Sequence, residues 1–215
     1  MILEVTEFCA VYMSSAAQER SFELVAGHPA LDLVNTLDWR FRDNGPEELL
    51  ASYDDLLGFA RQSGLLTAKQ LRAILRNSSQ TAAADALVSC RLLREAAAAI
   101  FYAAVDSRTP PASQIKIIED CFKQARERQD LAWSDSRLDW EWPASECGPN
   151  LPVWMLSISA ARLMLSDKMR LLRACEKRDC RWLFLDTSKN HTRRWCDMKI
   201  CGNRMKARRF KAQHQ

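Results

Sequence analysis

Glycine and proline are scarce, 6 and 7 among 215 residues, and neither a low-complexity tract nor a fixed-period repeat occurs. With 47% of residues hydrophobic, this composition excludes a collagen-like or disordered chain. The length fits one large domain, or one domain with a small appendage. No window approaches eighteen consecutive apolar residues, so no membrane span is expected. The opening Met1-Ile2-Leu3-Glu4-Val5-Thr6-Glu7 carries acids where a secretory signal needs a basic start. The chain is therefore read as cytoplasmic, a compartment in which disulfides are disfavoured. Catalytic signatures are missing too. There is no Ser-His-Asp order, phosphate-binding glycine loop or convincing carboxylate pair, and the His-x-Glu with Pro-Cys-x-x-Cys of zinc deaminases is absent. The expectation is a protein that is not an enzyme.

What is present is unevenly distributed. The net charge of +4 conceals an acidic body and a basic tail. From Lys168 to Gln215 there are 15 Lys/Arg against 4 Asp/Glu, a surplus of +11, whereas residues 1–167 carry −7. Such asymmetry is what a C-terminal end that meets a polyanion requires.

Local patterns predict a mainly helical α+β protein. Residues 1–20 have weak periodicity and read as a weakly structured start. Phe22 to Ala26 alternates like a short strand, and Ala30 to Leu37 is apolar enough to be a buried helix. Ser52 before Asp54 and Asp55 is an N-cap with early acids, closed by Gly64; Thr67 with Gln70 is a capping box. A long alanine-rich helix is predicted from Thr81 to about Asp106, before Pro110-Pro111, and another from about Ser113 to Gln129. Leu131–Trp133 and Leu138–Trp142 flank a polar turn and form a plausible hairpin. Trp133, Trp140 and Trp142 are expected to be a packing surface, because the local charge is acidic. After a linker over 143–149, one long connecting helix is predicted over 151–174. The divisions are thus 1–20, a helical domain with short strands over 21–150, the connecting helix 151–174, and a cysteine-bearing end, 175–215.

Of eight cysteines, Cys9, Cys90, Cys121 and Cys147 show no pairing logic, and Cys90 and Cys121 read as small core residues. The other four form two C-x4-C pairs, Cys175/Cys180 and Cys196/Cys201, with fifteen residues between them. Zinc takes four thiolates in a tetrahedron, supplied by two turns that each offer a pair. Arg181–Leu185 and Thr192–Trp195 can pair as a hairpin across Asp186 to His191, bringing Cys180 back to Cys196. The stretch after Cys201 is rich in helix formers. Knuckle, hairpin and terminal helix together make a treble-clef-like four-cysteine zinc finger. Four protein ligands leave no place for a reactive water, so the one Zn2+ is structural.

These residues carry a resemblance. Cys196-x4-Cys201-Gly202-Asn203-Arg204, preceded by Trp182-Leu183-Phe184-Leu185-Asp186-Thr187-Ser188-Lys189-Asn190, resembles the CGNR zinc-finger family. Ala30-Leu31-Asp32-Leu33-Val34-Asn35-Thr36 is similar to the ABATE domain that precedes this finger in proteins classed as stress-induced bacterial transcription regulators. The resemblance spans about 22–211. It implies a zinc-binding, DNA-binding module joined to a helical domain whose role is poorly defined.

Phosphate neutralisation requires several cations on one surface. Arg204, Arg208 and Lys211 recur at i, i+4, i+7 on the expected terminal helix. Lys206 and Arg209 lie beside them, and Arg193, Arg194 and Lys189 add charge near the finger's turn. The plainer reading is that these cations balance a zinc-tetrathiolate of formal charge −2, which accounts for two or three of them but not for +11. The function expected is transcription regulation by DNA binding through the finger, with the N-terminal domain serving for sensing or for homodimerisation. Its small-molecule ligand is left open by the sequence. The alternative is a zinc-stabilised module that binds protein or RNA. Asp32, Asn35 and Thr36 are read as braces of the fold rather than as a ligand site. His28 and His214 read as loop and tail residues.

Overall fold

The computed structural model describes residues 20–134 and 136–203. The start of the chain and the basic stretch from Arg204 onward lie outside the described residues. Helix α1, Pro29–Asn35, begins with proline at its first turn, and the His28 Nδ1 accepts the Ala30 amide at 3.3 Å. A two-residue ribbon follows, β1 (Leu37–Asp38) antiparallel to β2 (Glu47–Glu48). Helix α2 (Tyr53–Gln62) starts on the capping box of Ser52 and Asp55, and α3 (Ala68–Asn77) on that of Thr67 and Gln70. The 26-residue α4, Gln80–Val105, is capped by Ser79, and α5 (Ala112–Arg126) opens after Pro111. The predicted β-hairpin forms from β3, Asp130–Ser134, and β4, Arg137–Glu141, in the register Leu131↔Trp140 and Trp133↔Leu138. Its apolar face is not a packing surface, because Trp133 is 72% exposed and Leu131 and Leu138 are exposed with it. Only Trp142, just beyond, stacks inward, its ring 6.0 Å from that of Trp154.

Helix α6, Leu151–Met164, is buried on nearly every side and packs against α1, α4 and α5. It is a core helix rather than a connector. The expected run to Ala174 ends ten residues early. Leu165 points into solvent and Ser166 breaks the helix. A 3-10 turn, Asp167–Leu171, leads into β5, Leu172–Ala174. A partner explains the switch: β5 pairs antiparallel with β6, Leu183–Leu185, so residues with helical propensity are held extended by a non-local ladder.

Two other expectations change with it. The finger's hairpin is β5–β6, not Arg181–Leu185 with Thr192–Trp195. Phe22 to Ala26 forms no strand, and its Val25 amide turns back onto the Glu23 carbonyl at 3.1 Å. Its Ala26 carbonyl accepts the Leu185 amide at 2.9 Å, while its amide donates to Asp32 at 3.0 Å.

The largest core cluster unites both halves. Phe59, Leu93, Phe101 and Leu156 of the body are continuous with Trp182, Phe184 and the four clustered cysteines.

Candidate metal centre

The first cysteine pair sits in the turn between β5 and β6. Cys175 directly follows β5, and its amide donates to the Trp182 carbonyl at 2.8 Å. The chain then folds back on itself, with the Cys180 and Arg181 amides both donating to the Lys177 carbonyl at 2.9 and 3.0 Å. Arg181 closes this knuckle with φ near +49°, in the left-handed region. Two contacts from the body hold it there. The Tyr102 hydroxyl donates to the Arg181 carbonyl at 3.0 Å, and the Arg181 guanidinium pairs with Asp106 at 2.9 Å. Lys177 is almost fully buried, its ammonium 3.9 Å from the Trp39 ring centre.

The second pair is delivered by a different device. Asp186 is buried at the end of β6 and accepts the amides of Ser188 and Arg193, at 3.0 and 2.9 Å. His191 adopts φ near +49°, and its Nδ1 lies 2.8 Å from the Asp186 carbonyl. This loop reverses the chain and sets Cys196 behind the knuckle. A π-helical turn, Met198–Gly202, presents Cys201, whose amide donates to the Asp197 carbonyl at 3.0 Å.

All four cysteine sulfurs are buried and lie within 4.8 Å of one another. The Cys180 and Cys196 Sγ atoms are 3.8 Å apart. Metal–sulfur bonds of about 2.3 Å in a tetrahedron give edges of about 3.8 Å, whereas a disulfide would need about 2.05 Å. The donor set therefore fits a zinc ion and not a pair of disulfides. Hydrogen bonds from Cys180, Cys196 and Cys201 favour thiolate at Cys175, and contact with Cys175 pushes the Cys180 and Cys196 thiols up. A divalent cation would stabilise all four sulfurs as thiolates at once. With every ligand supplied by protein, the bound ion is structural.

With this geometry in place, comparison with known families is decisive. The model of the family described as "Putative stress-induced transcription regulator", ABATE, matches residues 27–167, well over half of the chain. The chain belongs to the ABATE family. The CGNR zinc finger matches residues 171–214, so the four cysteines of this ABATE protein are positioned to bind one zinc ion. No curated protein matches the chain. The ABATE match takes in the whole of α6, in keeping with the place of that helix in the core.

The cations singled out in the sequence fall into three groups. Arg193 is committed within the ABATE protein's finger: its guanidinium donates to the Trp195 carbonyl at 2.9 Å and to that of Cys196, and lies over the Phe184 ring at 4.3 Å. Arg194 is exposed and forms a two-pronged pair with Glu176, at 2.7 and 2.8 Å. Lys189 is exposed at the tip of the 186–191 loop. Arg204, Lys206, Arg208, Arg209 and Lys211 lie outside the described residues.

Asn35, expected to brace the fold, does so at the seam. Its amide donates to the Leu183 carbonyl at 3.0 Å and its oxygen accepts the Leu183 amide at 2.9 Å. Lys177, Tyr102 and Arg181 had no sequence signal as supports of the knuckle, because their partners lie far away along the chain.

Proposed function

We propose that the chain regulates transcription by binding DNA through its zinc finger, with the helical domain sensing a signal. The observation that carries this reading is the surplus of 15 Lys/Arg over 4 Asp/Glu from Lys168 onward, joined to a rigid zinc centre. Arg194 and Arg193 already have partners in the finger, so the burden falls on Lys189 and on Arg204, Lys206, Arg208, Arg209 and Lys211. The family's description as a transcription regulator supports the same reading.

The test is fluorescence anisotropy of the zinc-loaded full chain on duplex DNA across a salt series. Arg208→Ala with Lys211→Ala spares all four ligands. Each lost phosphate contact should shrink the log–log salt slope by about one unit and, together, they should lower affinity by at least tenfold at moderate salt. Unchanged affinity in a zinc-loaded double variant overturns the reading in favour of a module that binds protein or RNA.

A further inference from the structure

Away from the cysteine cluster, a cavity of about 430 Å3 opens between α6, the base of the β3–β4 hairpin and the segment that starts α1. Its volume lies in the lower part of the range ligand sites occupy, about 300–1,000 Å3. Met155 and Ile158 of α6, with Leu65, supply an apolar floor, and Trp140 and Trp142 supply flat aromatic wall. Ser159 and Arg162, one turn further along the same face of α6, add polar groups at the rim.

The charges around this cavity are unbalanced. The carboxylate among its described lining residues, Asp139, already accepts the Arg137 guanidinium and the Trp140 amide, both at 2.8 Å. Arg162 has no carboxylate within ion-pairing distance among the described residues, although its charge reaches Asp139 across the cavity. Arg126, stacked 3.8 Å over the Trp140 ring, donates to the Gln129 amide oxygen at 2.8 Å and has no carboxylate partner among the described residues. A guanidinium fork that no carboxylate engages at hydrogen-bond distance among the described residues, beside an apolar slot walled by two indoles, suits a flat apolar body that ends in a planar anion, and a carboxylate is the smallest such group.

We propose that this cavity is a ligand site of the helical domain and binds a small aromatic carboxylate, its ring against Trp140 and Trp142 and its carboxylate on Arg162. His28 also lines the cavity. Its Nδ1 accepts the Ala30 amide, so the neutral ring carries its proton on the other nitrogen and offers a second donor. Arg162 belongs to the last turn of α6, from which the chain passes through the 3-10 turn and β5 directly to Cys175. The inference rests on the reading of the helical domain as the sensing half. It is tested without DNA, so its failure leaves the finger's role untouched.

The experiment is isothermal titration calorimetry of the zinc-loaded full chain with 2-naphthoate, and with 2-naphthamide as the uncharged counterpart. Saturable one-to-one binding of the carboxylate is expected, with the amide at least tenfold weaker. Arg162→Gln removes a group that makes no hydrogen bond or close ion pair among the described residues, so it should fold normally and weaken 2-naphthoate at least tenfold. Ser159→Phe puts a ring into the cavity and should abolish binding. No saturable heat with 2-naphthoate, equal binding of the amide, or undiminished binding by Arg162→Gln would each overturn the proposal. Full affinity in Ser159→Phe would place the probe elsewhere and overturn it as well.

Discussion

The helical body and the finger solve the same problem, a buried charge, in opposite ways. In the body the charge is Arg94, which is 3% exposed in the middle of α4. Glu48 of β2 grips it with both oxygens at 2.6 and 2.7 Å, and Thr36 Oγ1 accepts from it at 3.3 Å. The counter-charge is part of the chain, so the site is complete once the chain folds. In the finger four sulfurs occupy the buried site, and the cation that lets them ionise comes from outside. Residues 172–203 bury little apolar surface on their own account, and the large side chains of β6 turn instead into the body's core. The body is thus stabilised by burial and internal pairing, the finger by a metal and by its seat on the body.

Removing the metal should break that comparison most severely. Cys201→Ser leaves three thiolates, and zinc content measured by mass spectrometry should fall from one per chain to near none. Structural zinc contributes on the order of 10 kcal/mol or more to the folding of a small finger, which nothing else in residues 172–203 replaces. The damage should not stop at the finger, because Trp182 and Phe184 fill the body's core. With about 1.5–3 kcal/mol lost for each large side chain withdrawn, the melting temperature of the body should drop by roughly ten degrees. Full zinc retention in the variant would remove Cys201 from the ligand set.

The contrast also explains what could be read in advance. The cysteine pairs and the caps at Ser52 and Thr67 were legible because metal knuckles and helix starts are written within a few residues. The long α4 was legible from its composition. The stretch from Leu165 to Ala174 was not, since Lys168, Met169, Leu171 and Leu172 favour a helix by propensity. What makes Leu172–Ala174 a strand is β6, which lies across the knuckle. The same limit hid Arg94, whose partner Glu48 is 46 residues away, and the Asn35 contact with Leu183, which spans 148. Asn35 could be recognised as a brace because a polar residue in an apolar helix must be paired, but not as a brace for the finger.

That seam is the next place to test how far the two regions depend on each other. Asn35→Ala leaves the Leu183 amide and carbonyl without their partner in a buried setting. At about 1–3 kcal/mol for each orphaned group, the loss should be roughly 3 kcal/mol, seen as a lower midpoint in urea. If the body also positions the finger, zinc should pass faster to a colorimetric chelator in this variant than in the parent. A lower midpoint with unchanged zinc transfer would mean that the metal site holds its shape independently of the body.

The smallest effect concerns a charge that the body buries without a counter-ion among the described residues. Asp32 accepts the Ala26 amide, but burial dominates and raises its pKa from the usual 3.8 to about 6. The folded state therefore holds this proton more tightly than the unfolded chain. Stability from the protonated group is fully present below about pH 4 and is lost as pH rises through about 6. Acid also releases zinc from thiolates, and that destabilises the finger in the opposite direction over an overlapping range, so the parent's own pH profile is ambiguous. The difference between parent and Asp32→Asn is not, because both carry the same metal site and the asparagine keeps an oxygen for Ala26 without titrating. Measured by urea denaturation, the stability of the variant relative to the parent should rise by up to about 2 kcal/mol between pH 4.5 and 7. A flat difference would show that Asp32 titrates as an ordinary carboxylate and that the Ala26 amide offsets the cost of burial.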